Sequence, residues 1–201
     1  MLGIFIEPQG ELKNFIEKWK KKFKEKDRNS KYLNHPPHLS IYVANLLNQK
    51  KIIFEIQSIT SNFQSFKINI DKINIFYNDA LTNKDTIFLS VKKNKKIFNL
   101  QRKLALKLRK FVKYEKNKRI KLNSYKLKKS MDKYGFPFIG SHWIPHFTIG
   151  SIKNLKNNNE YKIFLKKKIK FRNNIDKISL WKINGQKHKK IKEFKLNKYG
   201  S

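Results

Sequence analysis

The chain has 201 residues, 39% of them hydrophobic and 13% aromatic, so it can bury one sizeable core but hardly two independent ones. Cysteine is absent, which excludes disulfides and thiolate metal sites, and no uncharged apolar run reaches the ~18 residues of a membrane span. The formal charge of +34 is partly compositional, because lysine far outnumbers arginine and Asn and Ile are abundant throughout; what remains favours an anionic substrate over a cationic one.

GIFIEP (3–8) reads as a first strand, short, apolar and ended by Pro8. The surrounding MLGIFIEPQGEL has no basic leader and too short an apolar run for a signal peptide, so a soluble cytoplasmic protein with no membrane partner is expected. ELKNFIEKWKKKF (11–23) sets Leu12, Phe15, Ile16, Trp19 and Phe23 at helical spacing. HLSIYV (38–43) is strand-like, and Pro36-Pro37 forbids a helix from running into it. Residues 48–59 lean towards helix. FKINIDKINIFYN (66–78) and TIFLSVK (86–92) alternate as two strands about a polar turn. KIFNLQRKLALKLRKFV (96–112) is a clear helix, with Leu100, Leu104, Leu108 and Phe111 on one stripe. HFTIGS (146–151) is a second strand behind a proline, EYKIFLKKKIKF (160–171) is expected to be helical, and IDKISLWKI (175–183) with KIKEFKL (190–196) closes the chain as a strand pair around Asn184-Gly185.

Two segment pairs repeat along the chain. NIDKINIF (69–76) and NIDKISLW (174–181) share five residues at an offset of 105, and PHLSIYV (37–43) and PHFTIGS (145–151) place their histidines 108 apart. The near-equal spacings point to an internal duplication. The expected fold is α+β and bilobal: residues 1–201 form a single domain of two similar antiparallel-sheet lobes with flanking helices around a central cleft.

Strand geometry turns the second repeat into chemistry. Side chains alternate faces with period two, so His38, Ser40 and Tyr42 are expected on one face, with Leu39, Ile41 and Val43 on the other. His146 and Thr148 likewise oppose Phe147 and Ile149. Each copy then presents an imidazole beside a hydroxyl. Two such strands brought together suit the opening of a phosphodiester, one His taking a proton from the attacking oxygen and the other giving one to the leaving oxygen. The hydroxyls of Ser40 and Thr148 would hydrogen-bond the non-bridging oxygens.

PHLSIYV and PHFTIGS resemble the paired His-x-Ser/Thr motifs of the 2H phosphoesterase superfamily, which includes 2′-5′ RNA ligase-like proteins and cyclic phosphodiesterases. YGFPFIGSHWIPHFTIG (134–150) is similar to the region around that family's second motif, and the leading strand fits as well. The resemblance implies a bilobal fold, a metal-independent mechanism without cofactor, catalysis by His38 and His146, and phosphate contacts from Ser40 and Thr148. It further implies a hydrolase acting as a monomer on a 2′,3′-cyclic phosphate or a 2′-5′-linked RNA end or nucleotide.

Tyr42, Phe138 and Trp143 are candidates for stacking on a base. His35 and His142 could join the motif histidines around a metal, but no Asp or Glu lies near either motif, and none is expected. KKKIK (166–170) and KHKKIK (187–192) read as solvated faces, and His188 within the latter carries no signal. Two other readings stand beside hydrolysis. A non-catalytic RNA-binding module has no need of both histidines. RNA 2′-5′ ligation is the same chemistry reversed.

Overall fold

The computed structural model describes residues 1–26, 32–79, 81–114, 124–153, 159–185 and 187–198. Strand β1 (Leu2–Ile6) is apolar throughout and all five residues are buried, as fits a strand covered on both faces. Helix α1 (Gly10–Lys26) follows and buries Leu12, Ile16, Trp19 and Phe23, the stripe its spacing predicts. Strand β2 (Leu39–Ala44) leads to α2 (Gln49–Ser61), where the Asn48 side chain accepts from Lys51 N as an N-cap. β3 (Phe66–Asp79) and β4 (Lys84–Val91) form a long hairpin. α3 (Lys95–Leu108), capped by Asn94, continues into a 3₁₀ turn over Arg109–Phe111. After α4 (Tyr125–Tyr134) come β5 (His146–Ile152), α5 (Asn159–Leu165), β6 (Phe171–Ile175), β7 (Lys177–Asn184) and β8 (Lys187–Lys195). No helix among the described residues is long and apolar enough to cross a membrane.

Two elements depart from the sequence reading. The helix expected over 160–171 stops at Leu165, because the chain beyond it is drawn into the sheet, where Asn173 and Ile175 alternate inward as β6 along β3. Helix α4 lacks an apolar stripe; Ser130 is its buried residue, so periodicity had nothing to report.

All eight strands belong to one antiparallel sheet in the order β6-β3-β4-β5-β2-β1-β7-β8. The expected lobes are therefore halves of one sheet, four strands on each side of a narrow joint. At that joint β2 meets β5 through a single pair, Leu39 opposite Phe147. With α4 and β6 set aside as additions, β4-α3-β5-α5-β7 repeats the order β1-α1-β2-α2-β3, and each sends its third strand across: β3 pairs with β4, and β7 with β1. Each half of the sheet thus mixes both halves of the chain.

The match extends to irregularities. The β1–β2 register shifts between Ile4 and Phe5, and the β4–β5 register shifts between Ile87 and Phe88. A bulge adds one residue to one strand and resets which face follows. In β2 it turns Ile41 and Tyr42 inward in succession, and both are fully buried. The carbonyl of Ile41 is met by the buried Gln101 of α3, whose Nε2 donates to it at 3.1 Å and to Phe138 O at 2.9 Å. Gln101 Oε1 accepts from Gly140 N at 3.0 Å, which ties the loop before β5 to the same helix. Gln101→Leu should therefore cost about 2–4 kcal/mol, since buried backbone groups lose their partners. Urea unfolding would check this, and a loss below about 0.5 kcal/mol would mean that water replaces the amide without penalty.

Candidate active site

His38 ends the Pro36-Pro37 segment and His146 opens β5 behind Pro145, so each histidine stands at the start of a central strand. Leu39 and Phe147 face each other at the joint, both at 0% exposure. Their neighbours His38, Ser40, His146 and Thr148 are half-buried on the opposite face. Continuing the register one step each way sets His38 opposite Thr148 and His146 opposite Ser40. Directly opposed residues of an antiparallel pair have Cβ atoms about 4.5–5.5 Å apart. The structure thus brings the two imidazoles and two hydroxyls to one small area.

The two rings have matching surroundings. His38 Nδ1 is 2.7 Å from Pro36 O, and His146 Nδ1 is 2.6 Å from Ile144 O, in each case two residues back. A carbonyl can only accept, so Nδ1 carries the hydrogen and Nε2 is the nitrogen left for proton exchange. His38 stacks on Phe5 with centroids 4.1 Å apart, and His146 lies 4.9 Å from Phe88. Phe5 and Phe88 are the strand partners of Ser40 and Thr148. Beyond them stand Trp181, 6.3 Å from Phe5, and Phe76, 4.0 Å from Phe88. Phe76 and Trp181 are the aromatic endings of the repeated NIDKI segments.

Gly3 makes room for the first platform. A Cβ there would lie 2.5 Å from the Phe5 ring and 2.9 Å from Ile183 Cδ1. Gly3→Ala should push Phe5 out of place and with it the His38 ring. A displacement near 1 Å lowers turnover by about 10- to 100-fold, so steady-state kcat on a folded variant is the measurement. Unchanged kcat would show that the Phe5 ring is no support.

Electrostatically the two histidines differ. Burial pushes His38 down to about 3; the Pro36 carbonyl opposes this, while His188, Lys20 and His35 add to it. Burial also lowers His146, but the Ile144 carbonyl and the Asp79 carboxylate pull it back up. Asp79 belongs to a polar cluster in which Thr86 Oγ1 donates to Asp79 Oδ2 at 2.6 Å and also contacts Ser151. On the His38 side, His35 is lowered to about 4 by burial and by His188 and Lys20, and Lys20 to about 7 by burial.

The three aromatic candidates do not line the site as expected. The β2 bulge carries Tyr42 to the helix side, where its hydroxyl donates to Tyr134 O at 2.5 Å and the ring is at 0% exposure. Trp143 is buried beneath β2, donating from Nε1 to Ser40 O at 3.2 Å with its ring edge-on to Phe98. Phe138 is half-buried and packs edge-on against Phe136. Tyr42 and Trp143 are thus too buried to stack on a base.

The sequence reading also missed His188, which β8 delivers beside His38 and His35. No local signal marks it, since the contact crosses from one end of the chain to the other. Among the described residues no three His, Asp or Glu side chains form a group able to hold a metal ion.

Solved structures share this fold at low sequence identity. TT0787 of Thermus thermophilus is 12% identical with a TM-score of 0.63, over 98% of each chain. Escherichia coli LigT in complex with 3′-AMP is 10% identical with a TM-score of 0.54, over 97% of each chain. No curated protein matches the chain at the level of sequence. The profile of the 2′-5′ RNA ligase superfamily, however, matches residues 8–187, nearly the whole chain and both histidine motifs. With two histidines matched in environment at the centre of that fold, the chain belongs to the 2′-5′ RNA ligase superfamily of 2H phosphoesterases.

Proposed function

We propose that the chain is a metal-independent phosphodiesterase that opens a 2′,3′-cyclic phosphate, or cleaves a 2′-5′ linkage, on an RNA end or nucleotide. The observation that carries this is the matched pair. Both rings are held through Nδ1 by a carbonyl two residues back, which leaves both Nε2 atoms for proton exchange on one face. One Nε2 takes a proton from water as the water oxygen bonds to phosphorus. The other Nε2–H gives its proton to the ribose oxygen as the P–O bond breaks, and a phosphomonoester remains. The Ser40 and Thr148 hydroxyls donate to the non-bridging oxygens, where charge accumulates. A nucleotide substrate accords with the similarly folded LigT, which has been crystallised with 3′-AMP.

The test is a panel of purified nucleoside 2′,3′-cyclic phosphates and 2′-5′-linked dinucleotides, with product position assigned by phosphorus NMR. Opening of a cyclic phosphate to one monoester isomer is expected. Tight RNA binding with no turnover on any member would favour the binding-module reading. Joining of two RNA ends under the same conditions would favour ligation.

A further inference from the structure

The open face of the His146 half carries a basic strip that starts at the histidine. Directly opposed residues of antiparallel strands lie side by side on one face, and Ser90 of β4 stands opposite both His146 of β5 and Lys72 of β3. Asn74, opposite Phe88, shares that face, and its Nδ2 donates to Ser90 Oγ at 3.0 Å. Past the register shift between Ile70 and Lys72, Ile70 pairs with Val91 and both are buried, so Asn69 and Lys67 return to the open face. There they oppose Arg172 and Asn174 of the edge strand β6. Lys72, Asn69, Lys67, Arg172 and Asn174 are all exposed.

From β5 to β6 the strip crosses three strand spacings, about 14 Å. At its outer end it borders an open cavity of about 600 Å³, lined in part by Lys67, Asn94, Lys95, Lys96 and Asn174. Asn94 Nδ2 donates to Lys67 O at 2.8 Å and fixes the loop before α3 against β3. Acids near the strip are already engaged. Asp71 holds Lys92 at 2.8 Å, and Asp79, at the far end of the hairpin, accepts from Thr86 at 2.6 Å. The other half of the sheet is built differently, since Lys177 and Lys190 are paired there with Glu193 and Glu7. Arg172 and Lys67 stand beyond a single nucleotide whose reacting phosphate is held at the histidines. Cations and amides set in a line suit a line of phosphates, which such contacts position without reading the bases.

We propose that the strip of Lys72, Asn69, Arg172 and Lys67 is the path of a single-stranded RNA whose reacting end lies at His38 and His146, with its next phosphates on the three cations and its far end at the cavity. This rests on the phosphodiesterase reading and narrows its substrate class from a nucleotide to the end of an oligoribonucleotide. An acidic protein segment offers a similar line of charge, but the strip begins at the group that reacts with a phosphodiester, which favours RNA. The Arg172 fork meets a phosphate through two parallel bonds, and its place on the edge strand leaves it open to the ligand.

Calorimetry compares hexauridylate 3′-monophosphate with uridine 3′-monophosphate on the wild type, Arg172→Gln, Lys67→Gln/Arg172→Gln and, as an equal loss of charge on α1, Lys18→Gln/Lys21→Gln. The hexamer should bind the wild type and the α1 control about 100-fold more tightly than the mononucleotide, the order of two charge-assisted contacts. Its affinity should also fall more steeply with salt, by about 2 in the log–log slope, at ~0.7 for each of three phosphates. The ratio should fall about tenfold in Arg172→Gln, the order of one such contact, and further in the double variant. Equal binding of the two ligands by the wild type, an undiminished ratio in both strip variants, or an equal loss in the α1 control overturns the proposal. Hexaglutamate bound as tightly as the hexamer, with the same loss in the double variant, would assign the strip to an acidic protein segment and overturn it too. The substituted side chains are exposed, and Arg172→Gln gives the readout even if the double variant fails to fold. In the kinetic arm, kcat/KM for hexauridylate 2′,3′-cyclic phosphate over uridine 2′,3′-cyclic phosphate should show the same ratio in the wild type. Turnover on neither compound with the binding ratio intact would overturn the catalytic reading and leave the strip standing. Equal turnover of both with equal binding would strike the strip and leave the catalytic reading.

Discussion

His38→Ala and His146→Ala should each lower kcat by about 10²–10⁴-fold, the usual worth of a positioned general acid or base. The double variant should lose far less than the product of the two single losses, because the residues act as a unit. The expectation rests on the shared geometry of the rings, each held by its own carbonyl with Nε2 left for chemistry. Single-turnover kinetics on the substrate identified by the panel is the measurement. Near wild-type turnover in either single variant would show that one histidine is a bystander. Both rings lie on aromatic platforms, Phe5 and Phe88, which remain packed after truncation, so circular dichroism of the variants should match the wild type.

The second large effect is the pH profile. Turnover needs one imidazole neutral and the other protonated together, so the rate should trace a bell with two apparent values belonging to the pair. In the free protein burial disfavours both imidazolium forms, taking His38 to about 3 and lowering His146. The bell in kcat/KM, which reports the free protein, should therefore lie on the acid side of histidine's ordinary ~6.5. A bound phosphate anion favours the protonated rings, so the bell in kcat should lie at higher pH. Superimposed bells would mean that the substrate does not contact the pair. A kcat flat from about pH 5 to 9, spanning that ~6.5 reference, with no pre-steady-state burst, would falsify paired acid–base histidines.

Acid unfolding must be kept apart from the acid limb. A histidine whose pKa is lowered on folding binds its proton first in the unfolded chain, so stability rises with pH across that interval. For His38 and His35 the contribution is fully present above about 6.5, the unfolded value, and is lost as pH falls towards about 3 and about 4. A melting temperature that drops from pH 7 to pH 4 is the expected sign, and it sets the lower bound for kinetic work.

Local pattern sufficed for much of the architecture. Apolar spacing located α1 and α3, alternation located β3 and β4, and proline placed the starts of β2 and β5, because each is set by contacts a few residues long. Both histidine motifs, with Ser40 and Thr148 at their sides, were legible for the same reason. The repeated NIDKI segments signalled a repeated strand, but not that its aromatic ends, Phe76 and Trp181, would stand behind the two histidine platforms.

What only the tertiary structure decided depends on register and on long-range pairing. One extra residue in β2 turns Tyr42 from the cleft to the core, and alternation read from sequence cannot see a bulge because the partner strand sets it. Trp143 is buried with its Nε1 on Ser40 O, and Phe138 packs half-buried against the core with its carbonyl held by Gln101, contacts that only long-range folding sets. The union of two lobes into one sheet came from the single pair, Leu39 opposite Phe147, by which β2 meets β5. His188 reaches His38 and His35 because β8 folds back beside β7, which itself pairs with the first strand of the chain. Sequence by itself therefore marked the two histidines and their hydroxyl neighbours as the candidates for proton chemistry, since a two-residue period is local. The charge asymmetry around them was decided by strands that meet from opposite ends of the chain.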